Sequence, residues 1–191
     1  VTVVVPKQHD SFKSLPSFSK NKVSFAVQAQ QLGTGHAVRA AMSGIKSKRG
    51  QVLVLNGDMP LARLNSVRKL IQMQQKKKTA VSLLTAEVED SFGYGRILRN
   101  GKGALIGIVE HKDATAAQKN IHEINVGVYC FELAFLQKSI GKIKNQNKQK
   151  EYYLPDLVAF AEAHGLAMQA SCLSDSKEAL GVNTQIDLNC V

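Results

Sequence analysis

The apolar positions of this chain fall into two patterns. Val1 to Val5, Val23 to Val27, Gln51 to Leu55, Thr79 to Thr85 and Leu166 to Cys172 are short, nearly continuous aliphatic runs, the pattern of buried strands. Between them apolar residues recur at helical spacing. Val38, Ala41, Met42 and Ile45 share one face, as do Val67, Leu70, Ile71 and Gln74, and Asp156 to His164 forms a further helix closed by Gly165. Gly50 with its charged neighbours stops the first helix and Lys76-Lys77-Lys78 the second; Asn65 is placed to cap the second. Ser11 to Leu15 reads as a turn of helix before Pro16. Strands alternating with helices predict an α/β fold with a mostly parallel sheet.

After Thr85 the pattern changes. Phe92 to Leu98 and Ala104 to Val109 flank Asn100-Gly101-Lys102-Gly103, a hairpin signal. Glu110-His111-Lys112-Asp113 ends the second arm in four polar side chains, and Ala114 to Lys119 reads as a short helix. Glu123 to Tyr129 is a further strand carrying Asn125 among apolar neighbours. An amide there implies a buried hydrogen-bond duty, structural or substrate-facing. Phe131 to Ile143 reads as an amphipathic helix, Lys144 to Lys150 as a polar linker, and Gly181-Val182-Asn183-Thr184 as the entry to a last segment.

Two places carry candidate chemistry. The first follows the strand at Val23 to Val27: Gln28-Ala-Gln-Gln31-Leu-Gly33-Thr34-Gly35-His36. Two glycines flank one threonine, which lets a backbone come close to a ligand. Thr34 is placed as an N-cap with free N–H groups behind it that favour an anion. Gln28 and Gln31 offer amides that both donate and accept, as a base edge requires. For the glycines alone an ordinary turn into a helix is the favoured reading; the two amides three residues apart are what single the stretch out. The second place is Asn56-Gly57-Asp58, at the carboxyl end of a clean strand, where open α/β sheets bind ligands. A carboxylate there suits a hard cation such as Mg²⁺, which leaves coordination positions for phosphate; a plain turn is the other reading.

Composition narrows the classes. The 191 residues, 44% hydrophobic and 21% charged, suit one sizeable domain with a real core. No apolar run approaches the ~18 residues of a membrane span, and Val1 to Val5 reads as a strand, not a leader. Cys130, Cys172 and Cys190 are far apart and without a C-x-x-C pair, which predicts free thiols in a reducing compartment. The net charge of +10 brings nucleic acid to mind. However, the lysines fall in separate clusters at expected helix ends and loops, with no aromatic residues interleaved. Solvated surface ranks first, steering of nucleotides and sugar phosphates second, and nucleic acid third.

Taken together, Gln28 to Ala37, Gly57-Asp58, Gly93 to Ile97, Val109 to Thr115, Glu123 to Gly127, Glu151 to Leu154 and Gly181 to Asn183 resemble, in order and spacing, the uridylyltransferase domain of bacterial N-acetylglucosamine-1-phosphate uridylyltransferase. The resemblance runs over nearly the whole chain. It implies a single domain over residues 1–191, truncated at both ends relative to the family. The implied fold is a Rossmann-like sheet of the nucleotide-diphospho-sugar transferase type, with helices on both faces and a small antiparallel β insertion. It implies a cytoplasmic, Mg²⁺-dependent enzyme that converts UTP and N-acetylglucosamine 1-phosphate to UDP-N-acetylglucosamine and pyrophosphate for cell-wall precursors. Gln28, Gln31, Gly33 and Thr34 take the uracil-reading positions, and Gly57-Asp58 the phosphate–metal turn. Asp58 and Asn183 take the metal positions, and Gly95, Glu110 and Asn125 the sugar-binding set, with Tyr153 near the N-acetyl group.

Three departures stand out. The family usually has Tyr where this chain has Asn56, and often Thr where it has Pro155. These leave open a related nucleotidyltransferase for another sugar phosphate. The family's first strand and its Leu-x-x-Gly-x-Gly-Thr-Arg-Met loop have no counterpart, Val1 to Val5 matching the second strand. The resemblance therefore implies a catalytically incomplete nucleotide-sugar-binding fragment as the other alternative, with weak turnover by this chain alone. The family's acetyltransferase domain, through which its members trimerise, also has no counterpart here.

Overall fold

The computed structural model describes residues 1–8, 23–182 and 184–189. The helical turn expected at Ser11 to Leu15, and Asn183 and Cys190, lie outside them. In chain order the elements are β1 (Thr2–Pro6), β2 (Ser24–Gln28), α1 (Thr34–Met42), β3 (Gln51–Leu55), α2 (Leu64–Lys77), β4 (Val81–Glu87), β5 (Arg96–Arg99) and β6 (Leu105–Val109). They continue with α3 (Ala116–Lys119), β7 (Glu123–Glu132), α4 (Leu133–Ser139), α5 (Asp156–Ala163), β8 (Met168–Cys172) and α6 (Gln185–Asn189). The chain divides into two units, residues 1–48 with 137–154, and 49–136 with 155–191.

The first unit pairs β1 with β2 in parallel, Thr2 opposite Ser24 through Pro6 opposite Gln28. Val5 and, on α1, Val38 are buried. The chain returns through a 3₁₀ turn, Ile140–Lys142, whose Ile140 is buried as is Ile143. It then runs along the start of α1, where Tyr152 N–H donates to Leu32 O at 2.8 Å and Gly35 N–H to Tyr152 O at 2.7 Å.

The second unit is built on β7. Both of its edges are occupied, by β3 and by β4, and both pairings are antiparallel. β8 joins β4 in parallel, β5 meets β7 antiparallel at Arg96 opposite Ile124, and β6 completes the hairpin with β5. Thus β3, β4, β5 and β8 run one way and β6 and β7 the other. The α/β class stands, with a sheet more mixed than strand–helix alternation predicts, because β7 inserts against the grain between β3 and β4. The occupied edges also explain a second difference. The amphipathic period at Phe131 to Ile143 predicted one helix, but Phe131 and Glu132 are bound into the sheet and α4 begins only at Leu133. Tertiary pairing overrides the local period there.

Strand β7 is irregular at its centre. Leu83 of β4 lies opposite Tyr129 and Thr85 opposite Asn125, so β7 spends more residues than its partner over the same span. Gly127 takes up the bulge with a φ of 81°. Around it Leu70, Leu84, Ile124, Val126 and Val128 form the buried core.

Two polar devices anchor α2. At its start the N-cap is Arg63 rather than Asn65. Its N–H donates at 3.0 Å to the buried carboxylate of Glu178, so a distant acid satisfies the helix end that Asn65 was expected to serve. At its end Gln74, 2% exposed, accepts from Thr79 Oγ1 at 2.6 Å and from Ser82 Oγ at 2.5 Å, and its Nε2 donates to Thr79 O. This amide closes the turn into β4. Gln74→Ala removes the acceptor shared by both hydroxyls, which keep their 2.7 Å contact with each other, and removes the donor to Thr79 O; a loss of about 1–3 kcal/mol is expected in denaturant unfolding.

Asp156 opens α5, where the helix dipole favours a negative charge. Burial nevertheless raises its carboxyl from 3.8 to about 6, and the charge of Asp113 adds to the rise. The fold therefore favours the neutral acid, so stability is highest below the unfolded-state value of about 4 and falls as pH climbs through about 6. Asp156→Asn should remove this dependence and raise Tm at pH 8 while changing it little at pH 4; melts at both pH values check it.

Candidate functional site

In the first unit, the Gln28 to His36 stretch leaves β2 and turns into α1. Gln28 sits at the end of the strand, half-buried. Its Nε2 donates to Gly33 O at 3.1 Å and lies 3.0 Å from His36 Nδ1. Both bonds run through the nitrogen, so Oε1 is the atom that Gln28 can offer to an N–H on a base edge. Gln31 is exposed.

The glycines serve a different purpose from the one their spacing suggested. Gly33, with φ of 100°, is the N-cap of α1, and a Cβ there would lie 2.8 Å from Tyr152 O. A Cβ on Gly35 would lie 2.9 Å from the same oxygen. The backbone brought close is this chain's own. Thr34, expected as N-cap, is the first residue of α1 and makes no capping bond; its Oγ1 accepts from Leu154 N–H at 3.0 Å. Gly35 N–H, one of the groups expected to favour an anion, is spent on Tyr152 O. The loop is therefore latched to residues 151–154 and presents its glutamine side chains rather than a ring of free amides. Arg39 lies over the Tyr152 ring, 5.1 Å from its centre. Tyr153 is buried, and its hydroxyl accepts from Gln149 Nε2 at 2.7 Å.

In the second unit, sheet register gathers residues far apart in sequence. Arg96 lies opposite Val109 on β6 and Ile124 on β7. The next row therefore holds Gly95, Glu110 and Asn125. Gly95 O accepts from Asn125 N–H at 2.9 Å, and a Cβ on Gly95 would come within 3.2 Å of Glu110 Oε1. The three positions of the expected sugar-binding set thus converge on one patch.

Asn125 is fixed by the bulge. Its Nδ2 donates to the Tyr129 hydroxyl at 2.6 Å and its Oδ1 accepts from Gly127 N–H at 3.2 Å. Burial pushes the Tyr129 hydroxyl far above the ordinary tyrosine range, and the negative charge of Glu110 adds to the rise, while the bond from Asn125 acts against it. Tyr129 adjoins this row, and the sequence reading gave it no role beyond its place in the strand. The available signal was an aromatic hydroxyl on the asparagine's own strand, separated from it by a glycine able to bulge.

Asn56, Gly57 and Asp58 follow β3. Asn56 packs on Gly127, leaving no room for a Cβ there. Asp58 O accepts from Val182 N–H at 2.8 Å, which brings the chain just before residue 183 to the turn. Asn183 itself lies outside the described residues. Asp58 Oδ1 is buried and has no hydrogen-bond partner among the described residues. A buried carboxylate oxygen with no internal donor has its lone pairs available to a cation. Among the described residues no three His, Cys, Asp or Glu side chains gather as a metal cluster. One carboxylate completed by an amide, phosphates and water nonetheless fits Mg²⁺, which dehydrates reluctantly. No described helix is long and apolar enough to cross a membrane.

Asp58, whose buried oxygen has no partner among the described residues, stands at the carboxyl end of a strand in a mixed α/β sheet, the place where open α/β sheets bind ligands, nucleotides among them. This chain belongs to the nucleotidyl transferase family, which it matches over residues 1–175. Among curated relatives it is 45% identical over 170 residues to the bifunctional protein GlmU of Syntrophotalea carbinolica, covering 89% of this chain and 36% of that protein. It is 44% identical over 167 residues to GlmU of Geobacter metallireducens, covering 87% and 35%. Against GlmU of Bacillus licheniformis it is 41% identical over 189 residues, covering 99% and 41%. The chain thus spans well under half the length of these relatives.

Gly33→Ala combines a forbidden φ with a Cβ against Tyr152 O. It should lower stability by about 1–3 kcal/mol, read from Tm, where an alanine at open Gly101 should change little.

Proposed function

We propose that this chain is the uridylyltransferase part of an enzyme that makes UDP-N-acetylglucosamine and pyrophosphate from UTP and N-acetylglucosamine 1-phosphate, supplying cell-wall precursor synthesis. The observation that carries the reading is the convergence of Gly95, Glu110 and Asn125 on one sheet row. A carboxylate that accepts from sugar hydroxyls and a rigidly held amide suit a hexose better than a base.

A phosphate oxygen of the sugar phosphate attacks the α-phosphorus of UTP. The bond from that phosphorus to the β-phosphate bridging oxygen breaks, and pyrophosphate leaves with the electron pair. Such a step needs positioning and charge neutralisation more than side-chain acid–base chemistry. Gln28 and Gln31 read the uracil, with Gln28 using Oε1 because its nitrogen is engaged. Gly33 and Thr34 shape that loop by latching it to residues 151–154. Glu110 and Asn125 hold the sugar beside the Gly95 backbone; Tyr153, in the first unit, carries the position that the resemblance assigns to the N-acetyl group. Asp58 and Asn183 would hold Mg²⁺ at the Gly57 turn, and bound there it would neutralise phosphate charge.

Transfer to a different sugar phosphate is the second reading. It is favoured by Asn56, whose amide packs on Gly127 beside the Asn125 bulge, in the place where the resembled family usually carries Tyr.

Full-length protein should release pyrophosphate from UTP and N-acetylglucosamine 1-phosphate only with Mg²⁺ present. Asp58→Ala should slow release by about a hundredfold or more. Wild-type protein without this activity would sink the assignment, an unchanged Asp58→Ala rate would remove the metal role, and a preference for another sugar phosphate in a panel would install the second reading.

A further inference from the structure

Arg96 is 1% exposed, yet among the described residues no carboxylate lies within ion-pair distance of it. Its side chain is directed instead at the two flanks of the site. Nη1 donates to Tyr94 O, on the approach to Gly95, and Nη2 lies 3.4 Å from His111 Nδ1, just beyond Glu110. Nε is buried without a partner among the described residues. Leaving a guanidinium so incompletely paired is costly, and an apolar side chain would fill the same volume more cheaply. Stability of the core does not account for a cation at this position.

The register supplies a reason. Arg96 occupies the row directly beneath Gly95, Glu110 and Asn125, with Val109 and Ile124 as its neighbours across the sheet. One rigid fork therefore ties the residue before Gly95 to the residue after Glu110. Its charge is felt by Glu110 and by Asp90, both of which favour the protonated guanidinium against the burial that opposes it. His111 is held below the usual imidazole range by desolvation first, then by the charges of Arg96 and Lys119. A neutral ring leaves Nδ1 able to accept from Nη2. The ring of Phe92 packs edge-on against His111 at 4.5 Å between centres and keeps that contact in place, although Phe92 itself is 74% exposed.

We propose that Arg96 is a positioning residue for sugar-phosphate recognition: it clamps the Tyr94–Gly95 and Glu110–His111 segments together and keeps a positive charge beneath the Glu110 carboxylate. Arg96 does not touch substrate. It acts on the geometry and charge of the groups that do. This rests on the reading of Gly95, Glu110 and Asn125 as the sugar-binding set.

The test uses full-length protein and pyrophosphate release, with KM measured separately for N-acetylglucosamine 1-phosphate and for UTP. Arg96→Gln keeps a donor for Tyr94 O but removes the charge and the fork. It should raise the sugar-phosphate KM about tenfold, as loss of one charge-assisted hydrogen bond implies, and leave the UTP KM nearly unchanged. Arg96→Lys should recover part of that loss by restoring the charge. His111→Ala, at a half-exposed position that tolerates truncation, should give a sugar-selective rise of about threefold, and it carries the test if Arg96→Gln fails to fold.

A sugar-phosphate KM unchanged in the folded variants overturns the inference, as does a parallel rise in both KM values. Arg96→Lys no better than Arg96→Gln overturns it as well. In those cases wild-type turnover stays normal and the functional reading survives. Wild-type protein that releases no pyrophosphate from this substrate pair overturns the functional reading and this inference together.

Discussion

Strand β7 of the second unit is held on both edges, and the rest of that unit depends on it. Pairing with β3 places Leu55 opposite Val128, which puts the Asn56-Gly57-Asp58 turn against the bulge at Gly127. Pairing with β4 buries the apolar face, and the contact with β5 brings in the hairpin that carries Gly95 and leads to Glu110. A strand with both edges paired cannot slip register without turning its buried side chains outward. The position of Asp58 relative to Asn125 is thereby set by backbone ladders rather than by loop conformation, as a site needing fixed geometry requires.

The bulge is where fold and chemistry meet. Extra residues in β7 would cost hydrogen bonds in a regular ladder. Here the polar groups they release are taken up: Asn125 closes on Gly127 N–H and on the Tyr129 hydroxyl. Tyr129 in turn is buried beside the charge of Glu110. A row below, Arg96 supplies the opposite charge. The polar patch is therefore a small electrostatic unit at the margin of the apolar core, with Arg96 and Tyr129 buried and Glu110 and Asn125 half-buried, where reduced dielectric makes each member sensitive to its neighbours. In the first unit the same economy appears as backbone contact: two glycines let residues 151–154 lie against the start of α1, and the threonine between them locks the arrangement.

Much of this could be read from residues alone, and the places where reading failed share one cause. The strand at Gln51 to Leu55, the helix ending among Lys76 to Lys78 and the Asn100–Gly103 hairpin are local in origin and appear as expected, and the strand read at Thr79 to Thr85 appears two residues later, at Val81–Glu87. Thr34 was expected to cap its own helix and instead binds Leu154 N–H; Asn65 was expected to cap and Glu178, far along the chain, serves that end. Phe131 fits a helical period and is a strand residue because two neighbours claim it. Each miss involves a partner distant in sequence. Propensity ranks what a segment prefers in isolation, and a tertiary partner worth a kcal/mol or more reverses such a preference.

By itself the sequence determined most element types and the hairpin, because periodicity and turn chemistry are local, while the polar set at residues 28, 31, 58, 95, 110 and 125 was singled out by amide and turn chemistry and, for residues 95 and 110, by resemblance in the order of its motifs. Only the tertiary structure decided which of those groups are already engaged. Gln28 Nε2 and Gly35 N–H are taken by the chain, whereas Asp58 Oδ1 is buried without a partner among the described residues. It alone also revealed that a fully buried arginine lies beneath the row of Gly95, Glu110 and Asn125. The reason is physical: hydrogen-bond satisfaction and burial depend on which distant segments meet, and those meetings follow from register and packing rather than from any single stretch of chain.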